Sequence, residues 1–221
     1  MIYFFADDHY NAHCGRNIFE HLPAQRKENI SFAENDWSLL ESGEWLKDCE
    51  LLILNLIGTT CDLPHPGPGA EKAVRAWCER GGNILLLHGA SAAFWQWEWW
   101  RKLVGFRWVR PGDPDGVAPS THPVKPYALR KCKVRHPLAE KLVPFSLGND
   151  EIYTELEQVS PAVILLETVI EEGVFPQCFE SVTSCGGKMV SFLPGHKPEA
   201  TEDPALLSNI EQIITYLLEG K

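Results

Sequence analysis

The chain reads Ala70-Glu-Lys-Ala-Val-Arg-Ala-Trp-Cys-Glu-Arg80, then Gly81-Gly82-Asn83, then Ile84-Leu-Leu-Leu87. In the first part, apolar side chains recur at helical spacing: Ala73, Val74, Trp77 and Cys78. The glycine pair suits a left-handed helix cap, and the last part is a short apolar run typical of a buried strand. A similar run, Leu51 to Ile57, precedes the helix. Together these segments predict a right-handed βαβ unit in a parallel sheet.

Further elements extend this unit along the chain. Apolar runs predict another parallel strand, two later strands and a hairpin: Ile2 to Ala6, Tyr127 to Val134, Ala162 to Thr168, and Cys178 to Val182 joined to Lys188 to Leu193. Asp203 is expected to cap a closing amphipathic helix from about Pro204 to Leu218. The proline-rich residues 110–126 predict a long loop, which in a compact domain is usually functional. No linker divides the chain, so we expect one α/β domain over residues 1–221.

The composition is that of an ordinary globular protein, with 44% hydrophobic and 23% charged residues. A formal net charge of −10 repels phosphate backbones and anionic lipid headgroups, so we expect neither nucleic acid nor a membrane as a partner. The seven cysteines are an odd number and contain no Cys-x-x-Cys pair, which argues against a disulfide framework. Since no export signal is visible either, the expected location is the cytoplasm.

Ligands of doubly wound sheets bind beyond the carboxyl ends of the strands. Three such segments carry small or titratable residues: Asp7-Asp8-His9, Gly58-Thr59-Thr60-Cys61 and His88-Gly89-Ala90-Ser91. His88 stands where a strand turns sharply into a helix, so its side chain should project into the site. Glutamine amidotransferases carry a cysteine nucleophile at such an elbow. Neither Cys61 nor Cys185 has that context, so we expect no amidotransferase nucleophile.

Three further histidines lie in segments with turn chemistry: Thr121-His122-Pro123, Arg135-His136-Pro137 and Pro194-Gly195-His196. Asp150 and Glu151 add paired carboxylates close to Tyr153. Taken singly, each histidine is more often a loop or capping residue. Together with His88, they indicate a shared site, because a carboxylate held near an imidazole is a workable general base or a partner for sugar hydroxyls.

Aromatic side chains are concentrated directly after His88, in residues 91–104. Most are interpreted as packing, but the density exceeds what one core face requires. Some are therefore expected to line a pocket or a contact between subunits of a homo-oligomer. Trp95 and Trp97 are the candidates for stacking on a pyranose ring.

As a set, these motifs make the chain similar to ThuA-like proteins, the trehalose-utilisation family of the class I glutamine amidotransferase-like superfamily. The resemblance rests on Leu87-His88-Gly89-Ala90, Ser120-Thr121-His122-Pro123, Arg135-His136-Pro137-Leu138, Asp150-Glu151-Ile152-Tyr153 and the segment from Gly187 to His196. It implies a flavodoxin-like three-layer α/β/α sandwich with a mostly parallel sheet, and a role in handling disaccharides or their keto derivatives. The segment Cys185-Gly186-Gly187-Lys188-Met189 departs from the family's glycine-lysine-glycine-arginine run, which weakens the case for an arginine-dependent anion contact there.

Residues and resemblance together favour an enzyme of carbohydrate metabolism that acts on a sugar or keto-sugar. The expected catalytic residues are His88, His122, Asp150, Glu151 and His196. The expected substrate-binding residues are Trp95, Trp97, Thr121, His136 and Tyr153. Such groups suit isomerisation or hydrolysis, because imidazoles and carboxylates transfer protons near neutral pH.

Two alternatives stay open. The same histidines with one carboxylate could hold a divalent metal such as zinc, but they come from separate loops and form no contiguous motif, so no cofactor is predicted. The other alternative is a non-catalytic sugar-binding or assembly protein that keeps the amidotransferase-like fold. A binding protein would be stabilised by a sugar that it leaves unchanged.

Overall fold

The computed structural model describes residues 1–58 and 65–219. Eleven strands occur within these residues: β1 (Ile2–Ala6), β2 (Ile30–Glu34), β3 (Leu51–Asn55), β4 (Ile84–Leu87), β5 (Phe106–Arg107), β6 (Val124–Lys131), β7 (Phe145–Glu151), β8 (Glu157–Gln158), β9 (Ala162–Ile170), β10 (Gly173–Val182) and β11 (Lys188–Phe192). Nine of these described strands form one sheet in the spatial order β2-β1-β3-β4-β11-β10-β9-β6-β7, and β5 pairs with β8.

The sheet has a parallel half and an antiparallel half. Strands β2, β1, β3, β4 and β11 are parallel neighbours, while β10, β9, β6 and β7 continue the sheet in antiparallel pairing. Every residue of β3 and β4 is buried, because these strands lie inside the parallel half and are covered on both faces. The α/β class is confirmed, and so is the predicted hairpin, which β10 and β11 form. The apolar runs did not show that β9, β6 and β7 extend the sheet in antiparallel pairing.

Eight α-helices occur in the described part of the chain: α1 (Cys14–His21), α2 (Ala24–Lys27), α3 (Ser38–Ser42), α4 (Pro68–Glu79), α5 (Glu98–Arg101), α6 (Pro137–Lys141), α7 (Pro198–Thr201) and α8 (Pro204–Leu218). Two large core clusters cover the sheet. One contains apolar side chains of α1, α6 and α8, and the other contains those of α3 and α4. The fold is therefore the three-layer α/β/α sandwich expected from the sequence.

The predicted βαβ unit is confirmed as β3, α4 and β4. Gly81 follows α4 at φ +74°, the left-handed conformation that glycine adopts without a steric cost. Gly82 lies so close to the ring of Trp77 that an added Cβ would come within 2.1 Å of its Cε2 atom. The glycine pair thus ends the helix and lets the buried Trp77 pack against the turn that leads into β4.

The closing helix α8 has the predicted bounds and cap. Oδ1 of Asp203 accepts the backbone N–H groups of Ala205 and Leu206 at 2.8 and 3.0 Å. Its apolar stripe is buried against the sheet: Leu206, Ile210, Ile213, Ile214 and Leu217. Within residues 1–58 and 65–219, no helix is long and apolar enough to cross a membrane.

Candidate active site

Three imidazoles converge at the carboxyl edge of the parallel strands. His9 follows β1, His88 follows β4, and His196 lies four residues beyond the end of β11. Because these strands run in the same direction, their carboxyl ends meet at one edge of the sheet. The ring centroids of His88 and His196 are 5.0 Å apart, and the His9 ring lies 6.0 and 6.1 Å from these two rings.

His88 occupies the elbow that the sequence predicts. It is 1% exposed and adopts φ +44°, a left-handed conformation that is costly for a residue with a Cβ and that occurs most often at functional sites. Its Nδ1 donates to the carbonyl oxygen of Leu193 at 2.9 Å. Nε2 therefore faces the site, where it lies 3.0 Å from Nδ1 of His196 and 3.3 Å from the hydroxyl of Tyr153.

Glu151 is the carboxylate shared by the histidines. One oxygen, Oε2, lies 3.5 Å from Nε2 of His88. The other, Oε1, lies 3.3 Å from Nδ1 of His122 and 3.8 Å from Nε2 of His196. The structure thus brings together four of the expected catalytic residues: His88, His122, Glu151 and His196.

The surroundings shift the proton affinities of these groups in opposite directions. Burial would raise the pKa of Glu151, but the imidazoles of His88, His196 and His122 outweigh it and lower that pKa to about 2. For His88 the effects are reversed: burial would lower its pKa, but the Glu151 carboxylate outweighs burial and raises that pKa above its usual value. Burial and the neighbouring His88 ring lower the pKa of His196 to about 4. An anionic carboxylate therefore stands between a basic and a neutral imidazole.

Asp150 lies beside this cluster but acts on the backbone. It is fully buried, and its Oδ1 accepts the N–H groups of His196 and Lys197 at 3.0 and 3.1 Å. Its Oδ2 accepts the N–H of Gly195 at 2.8 Å. Three backbone N–H groups thus donate to Asp150, the carboxylate that the sequence predicts to be catalytic. Asp150 fixes the segment that carries the His196 ring, whereas the adjacent Glu151 faces the imidazoles.

A cleft of about 930 Å³ opens above Glu151 and Tyr153. The expected residues Thr121, His122, Glu151 and Tyr153 line it, together with residues that were not predicted, among them Tyr10, Trp108 and Arg110. The Trp108 ring lies 5.2 Å from the His122 ring and 4.6 Å from the Tyr153 ring. Trp108 therefore supplies an indole ring to the wall of the cleft.

Arg107 anchors the long loop that forms one side of this cleft. Its guanidinium donates to both carboxylate oxygens of Asp113 at 2.8 and 2.9 Å, and its Nε donates to Glu157 at 2.6 Å. Arg107 is 2% exposed. Bidentate pairing of this kind fixes both distance and orientation, so the proline-rich segment is held at a defined position at the cleft.

Three expected substrate-binding residues lie elsewhere. Trp97 is 4% exposed, and its ring stacks on Phe94 at 3.8 Å and on Trp99 at 5.9 Å, so it is a core residue with no face left for a sugar. The Trp95 ring packs against the guanidinium groups of Arg101 and Arg110 and is not among the described residues that line the cleft.

His136 caps the N-terminus of α6. Its Nδ1 accepts the N–H of Leu138 at 3.2 Å, its Nε2 lies 3.4 Å from Glu180, and its ring packs 5.7 Å from that of Tyr216. These neighbours belong to the edge of the sheet where β11 begins, away from the imidazole cluster. The proline that follows His136 therefore marks a helix cap rather than a ligand site.

The sequence patterns do not predict two groups of site residues. The position of His9 after a strand does not by itself predict a site residue, although Asp7, two positions earlier, is a carboxylate that can orient its ring. Trp108 and Arg110 precede and begin the proline-rich loop, and no pattern marks them. Cys61, considered above as a nucleophile, lies outside the described residues.

The comparisons with known proteins agree with this architecture. The sequence profile of ThuA, described as trehalose utilisation, matches residues 2–217. The chain belongs to the ThuA family. Family membership supports a role related to carbohydrate utilisation. No curated protein matches this ThuA-family chain significantly.

Solved structures show the same fold at low sequence identity. A ThuA-like protein from Parabacteroides merdae matches with a TM-score of 0.75 and 14% identity, over 100% of this chain and 90% of that one. A ThuA-like protein from Bacteroides uniformis matches with a TM-score of 0.72 and 15% identity, over 100% and 91%. A β-galactosidase from Bacillus circulans contains a similar region, with a TM-score of 0.56 and 11% identity, over 99% of this ThuA-family chain and 30% of the enzyme.

Proposed function

We propose that this protein is an enzyme of carbohydrate metabolism that transforms a sugar or keto-sugar by proton transfer in the Glu151 cleft. The observation that carries the proposal is the contact of one carboxylate with three imidazoles, at a cleft that Glu151 and His122 line. Glu151 lies within 3.3 to 3.8 Å of a nitrogen of His122, His88 and His196. Family membership supports the carbohydrate class of substrate.

The cleft suits a mono- or disaccharide in size and lining. Its volume of about 930 Å³ lies at the upper end of the range of roughly 300–1,000 Å³ for small-molecule sites. Aromatic rings can pack on the C–H face of a pyranose, and Trp108 offers such a ring beside the polar groups. Thr121, Arg110 and Glu155 add hydrogen-bonding groups around the opening.

Isomerisation next to a carbonyl fits the arrangement of charges. His122 is half exposed and contacts Glu151, so this dyad can take a proton from the carbon beside a carbonyl. The carbonyl oxygen then takes a proton from the buried pair of Tyr153 and His88, which gives an enediol. The first proton then returns to the former carbonyl carbon, and the hydroxyl on the other carbon gives its proton back to the Tyr153–His88 pair as the new carbonyl forms, so no other reactant is consumed. His196 contacts one member of each set, His88 and Glu151.

Solvent exchange tests this proposal directly. The purified chain is incubated in D₂O with a panel of sugars and keto-sugars, and deuterium at carbon positions is measured by NMR. We expect incorporation beside the carbonyl of at least one keto-sugar, with a loss of at least about 100-fold in rate for Glu151→Gln and His122→Ala, the range for general acid–base groups. His21→Ala removes an exposed imidazole on α1 and serves as the matched control.

The outcome separates the proposal from its alternative. A panel that gives neither exchange nor a shift in Tm at millimolar concentration would overturn sugar chemistry in this cleft. A sugar that raises Tm through binding and returns unchanged would instead establish the non-catalytic binding protein, because a ligand that binds only the folded state stabilises it.

A further inference from the structure

A buried nitrogen lies beside the proposed proton-transfer groups without a hydrogen-bond partner in the described part of the chain. His9 is 1% exposed, and its Nδ1 donates to Oδ1 of Asp7 at 2.6 Å. Asp7 is also buried, and its Oδ2 accepts the N–H groups of Ile57 and Gly58 at 3.0 and 2.7 Å. The lone pair of His9 is therefore on Nε2, and this atom is the one without a partner. Since buried polar atoms are nearly always paired, it points to a ligand.

Two other donor groups face this nitrogen. Cys14 is fully buried at the start of α1, and its thiol donates to the carbonyl oxygen of His196 at 3.0 Å. His196 contributes a ring nitrogen. One ligand atom each from His9, Cys14 and His196 lies within 4.8 Å of the other two. The three residues come from the loop after β1, from α1 and from the segment after β11, so only the folded chain brings them together.

We infer that His9, Cys14 and His196 bind a divalent transition-metal ion of the zinc class. Two imidazoles and one sulfur form a ligand set that zinc and its neighbours prefer over magnesium or calcium. Histidines that bind metals usually donate their second N–H to a carboxylate, and Asp7 makes that contact with His9. Three protein ligands leave a fourth position for water or substrate, as in catalytic zinc sites.

A second group, His88, Glu151 and His196, has comparable spacing, but its atoms are already engaged. Nε2 of His88 contacts His196, Tyr153 and Glu151 without any ion. His9 has no such alternative among the described residues. The unpaired nitrogen of His9 therefore favours the group of His9, Cys14 and His196 as the metal site. The Glu151 carboxylate keeps its contacts with the histidines and is not a ligand.

Metal binding at this position includes a proton release. The Cys14 thiol donates its S–H to the carbonyl oxygen of His196 at 3.0 Å, so the sulfur is protonated when no metal is bound. On binding, the S–H bond breaks, the thiolate coordinates the ion, and the proton passes to solvent. This inference shares His196 with the proposed sugar chemistry but does not depend on it, because His9 and Cys14 are not among the proton-transfer groups.

The test uses the full chain, stripped with a chelator and titrated with Zn²⁺ or Co²⁺ in the absence of sugar. We expect one equivalent of Co²⁺ to bind with a thiolate-to-cobalt charge-transfer band, and Zn²⁺ to displace it and raise Tm. Cys14→Ser should abolish the band, and His9→Ala and His196→Ala should weaken binding. Asp7→Asn should reduce affinity by about 10- to 100-fold, the range for carboxylates that orient metal-bound histidines.

Cys185→Ser and His21→Ala are the matched controls, since both residues are exposed and neither belongs to the cluster; His21 lies at the opposite end of α1 from Cys14. Absence of stoichiometric Co²⁺ binding by the wild-type chain overturns the inference, and so does a charge-transfer band that survives in a folded Cys14→Ser variant. The wild-type spectrum alone decides the case if a variant fails to fold. Deuterium exchange by a chain that binds no Co²⁺ would show that the sugar proposal holds while the metal site fails, and Co²⁺ binding without exchange would show the reverse.

Discussion

Oε2 of Glu151 lies 3.5 Å from Nε2 of His88, and this contact joins the last strand residue of β7 to the elbow after β4. It pairs a carboxylate whose pKa is lowered with a buried imidazole whose pKa is raised. The pair therefore links the antiparallel half of the sheet to the parallel half, beside the cleft that Glu151 lines. Its charge state should be visible in the pH dependence of stability.

We expect Glu151→Gln to destabilise the protein most between about pH 4.5 and 6.5. The lowered pKa of Glu151 contributes stability above its ordinary value of 4.5, and this is lost as pH falls toward about 2. The raised pKa of His88 contributes stability below its ordinary value of 6.5, and this is lost as pH rises through the folded value. Urea unfolding of both proteins from pH 3 to 8 measures the difference. A difference that does not vary with pH would contradict the ion pair.

Asp150→Asn should destabilise the chain by about 3 kcal/mol, because hydrogen bonds to a buried charge contribute roughly 1.5–3 kcal/mol each and an amide retains only part of them. The lost partners are the N–H groups of Gly195, His196 and Lys197. Urea unfolding at pH 7 measures the loss. Asn149→Ala, at an exposed position next to it, is the control and should change stability little. Equal stability of the two variants would argue against an anchoring role.

Two tryptophans should respond differently to removal. Trp97→Ala should cost about 3–5 kcal/mol of stability, the usual range for a buried ring, because Trp97 packs between Phe94 and Trp99. Trp108→Ala should leave most stability intact but weaken sugar binding, because Trp108 lines the cleft. Thermal unfolding with and without the sugar found in the exchange experiment tests both. Loss of sugar binding in a stable Trp97→Ala variant would restore the stacking role expected from the sequence.

The protein should release no ammonia from glutamine. His88 occupies the elbow, and the Cys14 thiol is fully buried with a pKa that burial raises, so it offers no free thiolate nucleophile. An ammonia assay coupled to glutamate dehydrogenase measures the activity at millimolar glutamine. Ammonia release that disappears in Cys61→Ala would contradict this expectation and identify a nucleophile that the sequence patterns failed to indicate.

The sequence by itself determined the local elements and the elbow. Uninterrupted apolar runs give β1, β3 and β4 because only strands buried on both faces lack polar positions. The glycine pair after α4 and Asp203 before α8 act within a few residues, so their effects can be read directly. The position of His88 at the end of a strand follows from the same kind of local signal. The local sequence could not show that β7 is a strand, because β7 lies at the sheet edge and five of its seven residues are polar or glycine.

Tertiary structure decided which side chains meet. Neighbouring acids in a strand point to opposite sides, so Asp150 accepts backbone N–H groups while Glu151 reaches the histidines. Trp97 and His136 looked like ligand residues, yet packing placed one in the core and the other at a helix start. The unpaired nitrogen of His9 depends on α1, β1 and the segment after β11 lying together. Contacts between residues separated by more than a hundred positions follow from strand order, and strand order is set by the packing of the whole sheet.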